Sequence, residues 1–168
     1  MKKIFFGLIA VICLFASCRR PSAVERYRAE KHIQDSVALT EQERSLAYYQ
    51  GQLETVTPQA DSLLPLFQYE RNEKYQGHGY YVVKNAKLKV KSYNLRVLVR
   101  DDGREVLVYK EGKRLSNEQM HELRETGNEA LARAEHLQVV IRDIRELEKR
   151  IARTSLEVQK YQKRLEND

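Results

Sequence analysis

Apolar positions recur every seven residues in two long stretches of the chain. The first repeat is Leu39, Leu46, Leu53, Ala60 and Phe67, with Tyr49, Val56 and Leu63 as companions three residues after its middle members. The second runs to the chain end through Leu123, Ala130, Leu137, Ile144, Ile151, Val158 and Leu165. An α-helix turns once per 3.6 residues, so each repeat lies on one helix face. The pattern predicts two long coiled-coil helices.

The first helix has a predicted beginning and an interrupted end. Ser22 and Glu25 form a capping box, in which each side chain accepts a hydrogen bond from the other residue's backbone N–H. The helical pattern then continues toward residue 74. Pro58 and Pro65 interrupt this pattern on one face, and Pro58 indicates either a kink or a fresh helix start.

A second capping box, Ser116 to Gln119, opens the C-terminal helix. Leu115 and Met120 occupy the positions of a hydrophobic staple across this start. The segment Thr126-Gly127-Asn128-Glu129 offers a point where the helix stops and begins again.

Between the helices the hydrophobic period changes from 3.6 to two. Lys87–Lys91 and Leu95–Arg100 alternate in the manner of half-buried strands, and Tyr80–Lys84 gives a further strand. Asp102-Gly103 favours a type I′ turn. That turn pairs Val99 with Val106, Val97 with Val108, Arg100 with Glu105, Leu98 with Leu107 and Arg96 with Tyr109. These pairs are mutually favourable, and they predict a four-stranded antiparallel meander.

The expected fold is mainly α with a small β-meander. Two long helices form an antiparallel coiled-coil hairpin, and the four-stranded sheet is inserted between them. The predicted segments are a signal peptide (1–17), a lipid anchor with a short linker (18–21), an N-terminal arm (22–78), a basic β-module (79–115) and a C-terminal arm (116–168).

The first eighteen residues have the pattern of an export signal. Lys2 and Lys3 precede thirteen apolar residues, Ile4–Ala16, which as a helix cover about 20 Å, less than the ~30 Å of a bilayer core. The run ends in Phe15-Ala16-Ser17-Cys18, which resembles the lipobox of bacterial lipoproteins with phenylalanine in place of the usual leucine. The resemblance covers about twenty residues and assigns the rest of the chain to no family.

This resemblance implies cleavage before Cys18 and acyl chains on its thiol and amine, which together hold a protein firmly at a membrane. Arg19 is not the aspartate that retains many such lipoproteins in the inner membrane, so the outer membrane, facing the periplasm, is the expected location. An uncleaved anchor with an unmodified Cys18 remains the alternative.

The excess of positive over negative charge in the predicted mature chain lies in the β-module. Residues 79–115 carry a net charge of +6, while residues 19–78 and 116–168 each carry −1. Lys87, Lys89 and Lys91 share one face, to which Arg96 and Arg100 can contribute, and together they form a candidate docking face for an anionic envelope partner or an acidic protein. The alternative is that the lysines protect an exposed strand from edge-to-edge pairing. Nucleic acid is not expected as a partner of an envelope protein.

The predicted hairpin is apolar on both sides. Leu98, Leu107 and Tyr109 lie opposite the valine side, and a single meander covers only one side with its own helices. The second side is therefore expected either to pack on another subunit or partner, or to remain exposed.

Catalytic chemistry finds no support in the chain. Both cysteines, Cys13 and Cys18, precede the body of the protein, which excludes a disulfide framework or a cysteine-based zinc site there. His121-Glu122-Leu123-Arg124-Glu125 begins like a metalloprotease helix but has Glu125 where the second histidine is required. We therefore expect no enzyme, no metal and no cofactor apart from the acyl chains on Cys18.

Two functions fit this pattern. The first is a lipid-anchored structural or interaction protein of the cell envelope, whose coiled-coil stalk presents the basic β-module to a partner. The second is a chaperone-like holdase that oligomerises through its strands. The order of helix, four strands and helix resembles the layout of prefoldin subunits, although no motif supports that kinship.

Overall fold

A computed structural model describes residues 21–71, 78–84 and 95–167. Its elements are α1 (Ala23–Leu63), a 3₁₀ turn (Leu64–Leu66), β1 (Phe67–Arg71), β2 (Gly79–Val83), β3 (Leu95–Arg100), β4 (Val106–Lys110), β5 (Lys113–Arg114), α2 (Asn117–Glu125) and α3 (Glu129–Asn167). The described chain is mainly helical with one antiparallel sheet, so the predicted class is confirmed in outline. It has five strands and three helices where four strands and two helices were expected.

The predicted helix boundaries hold at three places. Both capping boxes are present: Glu25 N–H donates to Ser22 Oγ at 3.2 Å, and Gln119 N–H donates to Ser116 Oγ at 3.3 Å. The expected restart occurs at Asn128, whose side-chain oxygen accepts from Leu131 N–H at 3.0 Å. Local hydrogen-bonding chemistry was sufficient to locate these starts.

The end of the first helix is where the heptad pattern misleads. Instead of continuing toward residue 74, α1 ends at Leu63, and Phe67 begins a strand. Pro65 has no N–H to donate to the carbonyl of Asp61, so the α-helical ladder stops before it. Pro58, by contrast, lies inside α1, so of the two predicted alternatives, a kink or a fresh helix start, the fresh start is excluded.

The five strands follow chain order across the sheet, and the central hairpin has the predicted register. The β3–β4 pairing aligns Arg96 with Tyr109, Val97 with Val108, Leu98 with Leu107 and Val99 with Val106. The turn type differs, because Gly103 alone has a positive φ (69°) and its N–H donates to the carbonyl of Arg100 at 2.9 Å. A type I′ turn requires positive φ at both central residues.

That requirement is met one turn later, where Glu111 and Gly112 have φ values of 51° and 80°. They join β4 to the two-residue β5, which pairs Lys110 with Lys113. The predicted strand Tyr80–Lys84 corresponds to β2. The predicted strand Lys87–Lys91 lies outside the described residues.

The described chain divides into two compact units. The first, here called the sheet unit, comprises the described part of residues 44–156, and the second, the terminal unit, comprises residues 21–43 and 157–167. In the sheet unit the helix-facing side of the sheet packs on all three helices. Its largest fully buried side chains are Leu131, Leu137, Val97, Val99 and Val108. The guanidinium of Arg150 lies 5.7 Å from the ring centroid of Tyr49, which brings α1 and α3 together.

The opposite side of the sheet, here called the outer side, is covered within the chain. Tyr80, Leu98 and Leu107 are only 3–4% exposed and form a second apolar cluster with the half-buried Val82 and Tyr109. The sequence predicted that this side would be exposed or would pack on a partner. For Leu98 and Leu107 that prediction is wrong, because both are buried in the single chain, whereas Tyr109 is half-buried.

Candidate functional site

The predicted functional residues divide into those the structure describes and those it does not. Cys18 and the three lysines of the predicted docking face (Lys87, Lys89 and Lys91) lie outside the described residues. Arg96 and Arg100 are described, and both project from β3 on the outer side of the sheet, four residues apart.

Arg96 and Arg100 each form an ion pair with a neighbouring acidic residue. The guanidinium of Arg96 contacts the carboxylate of Glu70 on β1. Arg100 holds Asp102 through two nitrogen–oxygen contacts of 2.6 and 2.5 Å and reaches Glu105 at 3.4 Å. Both residues therefore brace the sheet, and their charges are partly balanced locally.

The Arg100–Asp102 pair is the most strongly coupled of these contacts. Hydrogen bonds from the Arg100 guanidinium lower the pKa of Asp102 from 3.8 to about 2, although partial burial acts in the opposite direction. The N–H of Arg104 also donates to Asp102, at 3.0 Å. Asp102 thus fixes both the end of β3 and the turn that follows it.

More exposed cations surround the same turn and the next one. The side chains of Arg104 and Arg114 are 77% and 63% exposed, and Lys113 is exposed as well. Their nearest described carboxylates are 3.3 Å away for Arg104 and 3.9 Å away for Arg114. Exposed contacts of this kind contribute little binding energy, so these side chains can turn toward an anionic surface.

The sheet unit contains an open groove of about 670 Å³. Its floor is apolar, formed by Ala60, Leu64, Ile141, Ile144 and Ala152, and its rim carries Tyr81, Asp101, Arg145, Glu148 and Lys149. The two acidic and two basic rim residues balance each other. The groove can receive an apolar group, but it has no charge preference. No sequence pattern indicated it, because its lining residues come from α1, the 3₁₀ turn, β2, the β3–β4 turn and α3.

The polar end of the groove is a fixed hydrogen-bonding cluster. The carboxylate of Asp101 accepts from Gly79 N–H at 3.1 Å and from the Tyr69 hydroxyl at 3.5 Å, while Arg145 donates to the Asp101 carbonyl at 3.1 Å. Burial raises the pKa of Tyr81, and its neighbours Tyr69 and Asp101 add to the rise. The Tyr81 hydroxyl therefore stays protonated at neutral pH, where it can donate a hydrogen bond but is not a nucleophile.

Neither a metal-binding cluster nor a membrane-spanning helix occurs among the described residues. No three histidine, cysteine or acidic residues gather there with metal-binding geometry. His121 lies 3.6 Å from Glu125 on an exposed helix face. Within these same ranges no helix combines the length and the apolar character needed to cross a bilayer.

Comparison with known proteins adds no relative: no family model, no curated protein and no solved structure matches the chain.

Proposed function

We propose that this protein is a lipid-anchored interaction protein of the cell envelope, whose basic β-module binds an anionic partner. The supporting observation is the charge distribution, with a net charge of +6 in residues 79–115 against −1 in each flanking segment. A long-range positive field confined to one module favours encounter with anionic surfaces.

The contacts of the described cations refine this proposal. Arg96 and Arg100 are engaged by acidic neighbours, so they act chiefly as supports for β3. Lys87, Lys89 and Lys91 then carry the direct contact with the partner. Arg104 in the β3–β4 turn and Arg114 in β5 have exposed side chains and add further positive charge to the β-module.

The two long helices act in this proposal as the stalk. Tyr49 of α1 and Arg150 of α3 are in contact, and Ala60 shares the groove with Ile141 and Ile144. Residue numbers thus rise along one helix while they fall along the other, as in an antiparallel hairpin.

The anchor is tested by changing Cys18 to serine in the full chain, expressed in a Gram-negative bacterium. We expect wild type to fractionate with membranes and to carry an added acyl mass by mass spectrometry. The Cys18→Ser variant should lose that mass and leave the membrane fraction. An unmodified wild-type thiol would contradict the anchor without bearing on the β-module.

The docking face is tested by a triple charge reversal, Lys87→Glu, Lys89→Glu and Lys91→Glu, measured by cross-linking and co-purification from whole envelopes. A control with the same change in net charge reverses three exposed cations of α3, namely Arg133, Arg153 and Lys163. We expect the first variant to lose its cross-linked partners and the control to keep them. Equal losses would mean that only total charge matters, and unchanged capture in the first variant would refute the docking face.

The holdase remains the second candidate, because β1 leaves one edge of the sheet open among the described strands. It predicts that the purified chain suppresses aggregation of an unfolded client, for example chemically denatured citrate synthase. An interaction protein with one specific partner has no such effect.

A further inference from the structure

The two edges of the described sheet differ in how they are protected. β5 has two residues, both basic, and strands that are short and positively charged resist edge-to-edge pairing. β1 has five residues, Phe67–Arg71, aligned one-to-one with β2 without a bulge and without lysine or proline. Tyr69 at its centre is 53% exposed. The edge formed by β1 therefore lacks these common protective features, apart from the charges of Glu70 and Arg71 at its end.

The hydrogen bonds to β2 determine which backbone groups of β1 point away from the sheet. Lys84 N–H donates to the carbonyl of Leu66 at 3.0 Å. In an antiparallel pair the direction alternates with each residue, so Gln68 and Glu70 bond toward β2. The N–H and carbonyl groups of Phe67, Tyr69 and Arg71 face the open edge, where the Phe67 N–H donates to the Leu64 carbonyl.

The sequence of β1 is complementary to itself in the antiparallel direction. A two-fold axis through Tyr69 aligns Tyr69 with its own copy, Phe67 with the second copy's Arg71, and Gln68 with the second copy's Glu70. The Gln68 amide can donate to the Glu70 carboxylate, and the Arg71 guanidinium lies across from an aromatic ring. No like charges face each other in this register.

We propose that β1 pairs with β1 of a second copy of this chain, joining the two sheets edge to edge about a two-fold axis. Both Tyr69 N–H groups then donate across the axis to Tyr69 carbonyls, and both Arg71 N–H groups donate to Phe67 carbonyls. An interface made by one short strand from each copy is small, so the dimer is weak and depends on concentration. This inference is independent of the lipid anchor and of the anionic partner.

The proposal is tested by the mass of the protein in solution and by the effect of substitutions at residue 68 on its self-association. The chain from residue 19 onward retains every described residue and is examined by sedimentation from about 1 μM to about 1 mM, the range in which weak dimers dissociate. Gln68→Glu places two carboxylates opposite each other twice, and we expect the dissociation constant to rise about fivefold. Gln68→Lys places a lysine opposite Glu70, and we expect the dissociation constant to fall about threefold. A general protective effect of edge lysine predicts a weaker dimer in the second variant.

Disulfide trapping tests the register. From residue 19 onward the chain has no cysteine, so an introduced one is its only thiol. In this register Gln68 of one copy lies opposite Glu70 of the other at a position without backbone hydrogen bonds, where the two Cα atoms are about 4.5 Å apart. Mixed Gln68→Cys and Glu70→Cys chains should form a disulfide-linked dimer on mild oxidation, and each variant alone should form far less. Arg104→Cys, exposed on another turn, is the control.

Two results would overturn the proposal. One is a monomer at every concentration tested. The other is an oligomer whose stability ignores residue 68 and whose mixed cysteine variants cross-link no better than the Arg104→Cys control, since that oligomer would use another surface.

Discussion

The helices of the sheet unit and of the terminal unit have the same heptad spacing, but the side chains buried in the two units differ in polarity. In the sheet unit, every buried residue is apolar or glycine apart from Thr154. In the terminal unit only Val158 and Asp35 are buried, and Asp35 Oδ2 has no hydrogen-bond partner. Heptad spacing therefore tells which residues face inward, whereas the stability of each region depends on what those positions contain.

The sharpest test of this contrast compares one inward-facing residue from each unit. Leu137 is completely buried, and Leu137→Ala should lower the free energy of unfolding by about 3–4 kcal/mol, because it removes apolar contacts and leaves a cavity. Val158→Ala in the terminal unit should cost about 1–2 kcal/mol. Urea denaturation followed by circular dichroism gives both values. Equal losses would mean that the two units are equally well packed.

The next largest effect is expected where the β3–β4 turn meets α3. A Cβ at Gly103 would lie 2.9 Å from the Arg142 nitrogen and from the Gln138 carbonyl oxygen, both of them backbone atoms. Gly103→Ala should therefore cost about 3 kcal/mol, part of it from the positive φ. Gly112→Ala is the matched control, since Gly112 also has positive φ but open space around it, and about 1 kcal/mol is expected. Equal thermal shifts for both would exclude the contact with α3.

Acid should weaken the sheet unit through Asp102. Its folded pKa of about 2 lies below its ordinary value of 3.8, so its stabilisation is complete above about pH 5 and is lost progressively as the pH falls through 3.8 toward 2. The shift corresponds to about 2 kcal/mol. Asp102→Asn should remove this pH dependence, whereas Glu146→Gln on the exposed face of α3 should preserve it. Urea midpoints measured between pH 2 and 6 separate the two.

The smallest expected effects concern Asp35 and Arg164, whose side chains approach to 3.6 Å in the terminal unit. Asp35→Leu should raise the free energy of unfolding by about 1 kcal/mol, because it removes a buried carboxylate with an unpaired oxygen. Arg164→Ala should lower it by about 1 kcal/mol, since Asp35 then stays buried without its partner. Hydrogen exchange in the terminal unit reports both changes. A lower free energy of unfolding for Asp35→Leu than for wild type would mean that Asp35 contributes net stability.

Sequence patterns were sufficient wherever neighbours along the chain or across one hairpin decide the structure. The capping boxes and the β3–β4 register belong to this class, because each depends on side chains only a few residues apart or directly opposite. β1 does not belong to it. Phe67 continues a heptad and also begins a strand, and it is buried in the core in the observed strand. Only Pro65 indicated which of the two would prevail.

Turn chemistry and the groove required knowledge of the whole sheet unit. Asp102-Gly103 carries the stronger turn sequence, but Asp102 is held by Arg100 and Gly103 packs on the backbone of α3. The type I′ conformation appears instead at Glu111-Gly112, where neither constraint acts. The second side of the sheet is covered by the chain itself, which no local pattern can reveal.

The order of the strands has a consequence for how the chain folds. Each strand pairs with its neighbour in sequence, so the sheet forms from contacts between residues close together in the chain, which are made quickly. Helix α1 ends at Leu63, whereas α3 begins only at Glu129. During synthesis the apolar face of α1 therefore remains exposed to solvent until α3 has been made. The most vulnerable interval for this chain lies between completion of the sheet and arrival of its last helix, when a binding chaperone would have most to protect.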